Sequence, residues 1–286
     1  MNILSIQSAV AYGHVGNAAA VFPLQRLGAE VWPIDTVQFS NHPGYGARTG
    51  EVFPAAWTRA LVDGIAARGV LQSCDAILSG YLGEATTAGA VAHAVALVRA
   101  ARPDALYCCD PVIGDAGAGV YVRPGVAEAI AANLLPAADI FTPNRFELTF
   151  LTGQAGTSLA AAMTAARALA SGLRAAGPRT VLVTSLHTET TPANAIDLLV
   201  VEGDGAWLLR TPMLALTVNG AGDALAALFL FHRLVSGDAA AALGAAASAL
   251  HGVLRATAAA GARELALVAA QAEQVAPSVR FVAQAC

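Results

Sequence analysis

At 286 residues, the chain is long enough for one large α/β domain or two small ones. A net charge of −4 and the lack of any basic cluster argue against nucleic acid or an acidic membrane surface as partner. Hydrophobic residues make up 56% of the chain, but no apolar run reaches the roughly 18 uncharged residues of a bilayer span. The run after Asp223 is broken by His232 and Arg233, and the stretch Ala239 to Gly252 is too short. No basic residue precedes the apolar Ile3 to Val10, which reads as a first strand rather than a signal peptide; a cytoplasmic protein is expected. Cys74, Cys108, Cys109 and Cys286 show no zinc spacing, and the adjacent pair falls in a buried strand, where small apolar packing suffices.

In chain order, Asn2–Ser8 reads as a strand, Asn17–Leu27 as a helix and Glu30–Thr36 as a strand. The polar, Gly-rich segment Gln38 to Gly50 fits neither period. Helix Ala55–Arg68, strand Asp75–Gly80, helix Thr87–Arg102 and strand Ala105–Asp110 follow. Next come helix Val126–Leu135, strand Asp139–Thr142, helices Arg145–Thr152 and Ser158–Ala176, and strand Arg179–Thr184. Ile196–Val201 and Gly205–Arg210, parted by Glu202-Gly203-Asp204, read as an antiparallel hairpin. Helices Gly222–Val235, Ala239–Ala260 and Glu264–Val275 close the chain. This βαβα order predicts an α/β three-layer sandwich: a mostly parallel central sheet with helices on both faces. No linker divides it, so one domain over residues 1–286 is expected.

Polar and Gly-containing signals fall just after the expected strands and so converge on one edge of the sheet, where open α/β sheets bind ligands. They are Gln7, Ser8 and Tyr12 to Asn17; Ser79 to Gly83; Asp110 to Asp115; Thr142 to Glu147; and Thr184-Ser185. Any one alone could be a strand-ending turn. Asp110 and Glu147 are carboxylates of the kind that hold magnesium near phosphate, directly or through water. Asn144 and Glu147 also fit a capping box, and both roles are compatible.

The stretch Val218-Asn219-Gly220-Ala221-Gly222-Asp223-Ala224 opens a long apolar helix. Its glycines let backbone N–H groups approach an anion at the positive helix end. Asp223 there can take a proton from a hydroxyl while the N–H groups of Gly220, Ala221 and Gly222 hold a phosphoryl group in flight. The bland reading is an ordinary helix start with an acidic first turn. No Gly-x-x-x-x-Gly-Lys loop, Gly-x-Ser-x-Gly elbow or His-Glu-x-x-His occurs.

These motifs resemble the ribokinase-like superfamily, which shares the Gly-x-Gly-Asp anion hole and its aspartate. Ile6 to Asn17, Val37 to His42, Ser79 to Gly83, Cys109 to Gly114 and Thr142 to Leu148 narrow the resemblance to pyridoxal kinases, over essentially the whole length. The resemblance implies ATP-dependent phosphorylation of the 5′-hydroxymethyl group of pyridoxal, with pyridoxine and pyridoxamine as further candidates. It implies that Ser8 hydrogen-bonds the pyridine ring, that Val10, Val37, Phe39 and Tyr81 wall it, and that His42 and Pro43 lie nearby. Asp223 is the implied base. Asp110, Thr142, Asn144 and Glu147 lie around the ATP phosphates and Mg2+, Thr184 at the nucleotide, and Thr211, Pro212, Met213 and Leu214 beside the adenine. A homodimer is implied, and a monovalent cation is left open.

Two positions depart from the family pattern. Pro43 stands where relatives carry a threonine, and it offers neither a side-chain hydroxyl nor an N–H; weaker or altered substrate binding is expected. Thr184 stands where close relatives can carry a lysine. Hydroxymethylpyrimidine or another small alcohol remains an alternative acceptor, and a non-catalytic pyridoxal phosphate-binding paralogue an alternative role.

Overall fold

The computed structural model describes all 286 residues. Its strands are β1 (Asn2–Tyr12), β2 (Glu30–Asn41), β3 (Gly50–Val52), β4 (Ala76–Ser79), β5 (Leu106–Cys109), β6 (Gly114–Asp115), β7 (Gly119–Val120), β8 (Ile140–Phe141), β9 (Thr180–Leu186), β10 (Ala195–Glu202), β11 (Gly205–Pro212) and β12 (Gln284–Ala285). The helices are α1 (Asn17–Arg26), α2 (Ala55–Ala66), α3 (Thr87–Ala101), α4 (Val126–Ala129), α5 (Arg145–Thr152), α6 (Leu159–Ser171), α7 (Ala221–Ser236), α8 (Ala239–Ala259) and α9 (Gln271–Val275).

Ten strands form one sheet in the order β12-β11-β10-β9-β8-β5-β4-β1-β2-β3, and β6 and β7 pair separately. The pairs joining β2, β1, β4, β5, β8 and β9 are parallel; β10 is antiparallel to both β9 and β11, so β11 points the same way as the parallel set. The carboxyl ends of β1, β4, β5, β8, β9 and β11 therefore share one edge, as the strand-end signals require.

Strand residues alternate between two apolar cores, as period-two pleating dictates. Leu4, Ile77, Cys109, Phe141 and Val183 face the core covered by α2 to α6; Ile3, Leu78, Cys108, Ile140 and Leu182 face the core under α1, α7 and α8. Both members of the cysteine pair are buried, one on each face.

The structure departs from the expected elements in several places. Gln38 to Gly50 is not one loop: β2 continues to Asn41, Pro43–Tyr45 forms a 3-10 turn, and Gly50 starts β3. The Ala-rich helix runs 21 residues, long enough to cross a bilayer, but 67% of its apolar window is buried inside the protein. Val126–Leu135 is not uniform: after α4 the chain widens into a π-turn over Ile130–Leu134 and ends in a 3-10 turn at Leu135–Ala137. Pro136, which cannot donate a backbone hydrogen bond, sits in that last turn. Of Glu264–Val275 only Gln271–Val275 is α-helical. Leu265 and Leu267, two apart, are both buried, and the Thr257 hydroxyl accepts from Ala266 N, so tertiary contacts override helix propensity there.

Candidate active site

A β-bulge begins the site. Between β1 and β2 the register runs Gln7↔Asp35 and then Ala9↔Gln38, so Ser8 lies opposite two residues, Thr36 and Val37. A bulge bends its strand and re-aims a side chain. Ser8 is buried, and its hydroxyl makes no hydrogen bond within the protein. Val10, Val37 and Phe39 close with Val15 into a third apolar cluster, separate from both cores, with Ala18, Val52 and Tyr81 packed against it. The expected ring walls thus come together; Val15 and Val52 complete them and were not foreseen. The Thr36 hydroxyl donates to the Tyr81 carbonyl at 2.7 Å, and a Cβ on Gly83 would press on Val37 and Val52, which fixes that wall.

The loop after β1 carries the site toward α7. Gly16, the N-cap of α1 at φ 54°, lies so close that a Cβ would collide with both the Ser8 carbonyl and its hydroxyl. Gly220, the N-cap of α7 at φ 82°, likewise has no room for a Cβ beside the His14 carbonyl. Only glycine adopts that backbone and approach without strain. No side chain caps α7, so its first-turn N–H groups are left for a ligand. Asp223, in that turn, is pushed upward in pKa by burial, while the backbone N–H of Gly16 acts in the opposite sense. The loop ending in Gly16 therefore packs against both the candidate ring anchor and the start of the helix that bears the candidate base.

On the other side, Asp110 leaves β5 and accepts from the Thr142 hydroxyl at 3.0 Å through Oδ1. Burial raises its pKa well above the usual range, and the charges of Glu147 and Asp223 add to this. Three carboxylates thus share one field. Glu147 is committed differently: Oε1 accepts from Ile113 N (2.6 Å) and Gly114 N (3.3 Å), and Oε2 from Asn144 N (2.9 Å). Asn144 caps α5 through Glu147 N and donates to the Gly114 carbonyl at 2.7 Å. The expected capping box is present. It also clamps the β6–β7 hairpin, which the sequence reading did not foresee. Burial pushes Glu147 up to about 7 despite those N–H groups. With both Glu147 oxygens so engaged, Asp110 is the carboxylate with an oxygen, Oδ2, that accepts no hydrogen bond within the protein.

Val112, between them, has φ 43°, a costly backbone for a β-branched residue and a mark of local strain. Tyr121, just after β7, was also missed. It is 47% exposed, and its partly desolvated hydroxyl is held above its usual pKa, with the charges of Glu147, Asp110 and Asp223 adding to the shift. No local pattern announces it. Thr184 N donates to the Pro143 carbonyl at 2.9 Å, so Thr184 lies beside Thr142 and Asn144. Thr211 and Pro212 end β11 on the same edge; Met213 is exposed, and its N–H donates to the Asn194 carbonyl. His42 and Pro43 open the 3-10 turn, where His42 Nδ1 accepts from Gly44 N at 3.0 Å.

A parallel α/β sheet whose shared edge joins an apolar ring pocket, an uncapped glycine helix start and a carboxylate cluster defines a ribokinase-like small-molecule kinase. Residues 58–282 match the phosphomethylpyrimidine kinase family model. The chain is 58% identical to Pyridoxal kinase PdxY of Granulibacter bethesdensis, over 100% of both chains, and 57% identical to that of Deinococcus radiodurans, over 99% of this chain and 96% of the relative. It superposes on the pyridoxal kinase of Leishmania donovani in complex with ADP and pyridoxine at a TM-score of 0.91, with 30% identity, covering 100% of this chain and 99% of the other. The chain belongs to the pyridoxal kinase family.

Proposed function

We propose that this chain, acting as one domain over residues 1–286, transfers the γ-phosphoryl group of ATP to the 5′-hydroxymethyl oxygen of pyridoxal, with pyridoxine and pyridoxamine as further acceptors. The flat ring lies in the apolar cluster of Val10, Val37, Phe39 and Tyr81, with the Ser8 hydroxyl as its polar contact. Asp223 takes the hydroxyl proton as the oxygen attacks the γ-phosphorus; the bond from that phosphorus to the ADP oxygen breaks. N–H groups at the start of α7 carry the charge that gathers on the phosphoryl oxygens. Alignment and charge neutralisation are all that such a transfer asks of a protein. Magnesium fits beside Asp110, a buried carboxylate near Glu147 and Asp223 whose Oδ2 has no hydrogen-bond donor within the protein, and bound there it would neutralise ATP phosphate oxygens. Thr142, Asn144 and Thr184, and Thr211 to Leu214, are read as the nucleotide side.

The observation that carries this reading is the Gly13–Gly16 loop, which packs on Ser8 through Gly16 and on Gly220 at the start of α7 through the His14 carbonyl, and so joins the ring pocket to the turn that bears the base. An ADP-release assay with pyridoxal, pyridoxine, pyridoxamine and hydroxymethylpyrimidine tests it. Turnover of the three pyridines at higher kcat/KM than the pyrimidine is expected. Turnover of hydroxymethylpyrimidine alone would instead favour a pyrimidine acceptor, the ring class in the name of the matching family model.

A further inference from the structure

One carboxylate from the C-terminal part of the chain reaches the pyridoxal side of the site. Glu264 Oε2 accepts from the backbone N–H of His14 at 2.9 Å, and Oε1 accepts from the Tyr45 hydroxyl at 2.6 Å. The side chain is 16% exposed, and a Cβ on Gly13 would lie 2.6 Å from its carboxylate, so the loop after β1 is built around it. Tyr45 is gripped further by Arg263, whose guanidinium lies 4.5 Å from the ring centroid, and by the Tyr12 ring at 5.8 Å. The Glu264 hydrogen bond pushes the Tyr45 hydroxyl up to about 12, so it stays a donor at any working pH.

The two tethered segments are those that shape the site. The loop bearing His14 continues to Gly16, and its His14 carbonyl rests on Gly220. The turn bearing Tyr45 contains His42 and Pro43 and abuts Asn219, since a Cβ on Gly44 would lie 3.4 Å from Asn219 Nδ2. We propose that Glu264 is a positioning residue, clasping the Gly13–Gly16 loop to the Pro43–Tyr45 turn so that the acceptor pocket is held closed against the start of α7. The clasp concerns the acceptor side and rests on the reading of this site as a pyridoxal pocket.

Glu264→Ala, Tyr45→Phe and the double variant test this. Hydrogen bonds to a charged carboxylate are worth about 1.5–3 kcal/mol, so Glu264→Ala should raise KM for pyridoxal roughly ten-fold or more. KM for ATP should stay within about two-fold, and Glu264→Gln, which keeps an acceptor for one partner, should recover part of the loss. Because Tyr45 acts through Glu264, the double variant should lose less than the sum of the singles. Amide exchange should quicken in residues 12–16 and 40–47 of Glu264→Ala, whatever the acceptor. Additive effects, a parallel rise in both KM values, or unchanged exchange would each overturn the clasp. An unmodified chain that fails to turn over pyridoxal would instead overturn the functional reading, leaving the exchange result to decide the clasp. Should Glu264→Ala fail to fold, Tyr45→Phe alone must still show the selective rise in KM.

Discussion

Asp223 and the ring walls are separate parts of the site, and substitutions should separate them. In the proposed mechanism the base acts only on the hydroxyl proton, whereas ring affinity would come from Ser8 and the apolar cluster around Val37. Asp223→Asn keeps shape and removes the proton acceptor. General-base assistance is worth about 10²–10⁴ in rate, so kcat should fall by that range while pyridoxal affinity, followed by fluorescence titration, stays nearly constant. Turnover at the parental rate would remove Asp223 from the role of base. Pro43 offers the complementary test. It is exposed at the first position of the 3-10 turn, where a threonine side chain has room and can offer a hydroxyl to the acceptor. Pro43→Thr should lower KM for pyridoxal several-fold, since one neutral hydrogen bond is worth about 0.5–1.5 kcal/mol; an unchanged KM would show that the turn lies out of reach of the substrate.

At the scale of elements, α5 shows what local chemistry encodes. Asn144 and Glu147 form its capping box and Gly153 ends it in the left-handed region, so both its boundaries follow from the sequence. The same Glu147 anchors the β6–β7 hairpin through Ile113 and Gly114, and this long-range tie has no local signature. Val10, Val37, Phe39 and Tyr81 were expected together because strand ends carry them in recognisable stretches, and the structure clusters them; Val52, Tyr121 and Glu264 were not expected, because each enters from far along the chain. The segment around Glu264 carried a helical pattern that buried leucines and the Thr257 hydroxyl overrode. A pH experiment tests the clamp. The folded state holds Glu147 near 7 against an ordinary value of 4.5. A carboxyl raised on folding supports the fold fully below its unfolded value, and that support fades as pH rises through the folded value. His14, His42, His232 and His251 are lowered by burial and act in the opposite direction, so total stability mixes the two. The difference cancels the histidines and leaves Glu147 with Asp110, whose pKa its charge raises: the Tm of ligand-free Glu147→Gln, relative to the parent chain, should rise between pH 5 and pH 8. A pH-independent difference would show that Glu147 is not held protonated by its burial.

Across the whole molecule, all 16 basic side chains are arginine; the chain contains no lysine. This matters for an enzyme whose substrate and product are aldehydes, because primary amines capture aldehydes as Schiff bases, whereas arginine stays protonated in proteins. The amine of Met1 lies 3.9 Å from Asp75 Oδ2 at the start of β1. Ser8 lies past the middle of that strand, and at about 3.3 Å per residue the two are separated by roughly 20 Å. On the proposed reading of the site, the product, pyridoxal 5′-phosphate, would therefore be held without a lysine imine, by the pocket walls and the start of α7. Inhibition by added pyridoxal 5′-phosphate should vanish at once on rapid dilution. Borohydride treatment of the mixture should leave every internal peptide at its unmodified mass, with any adduct confined to the Met1 peptide. Inhibition that outlasts dilution, or an absorbance band of a Schiff base that persists after gel filtration, would show that the cleft retains the aldehyde by a bond these side chains do not provide.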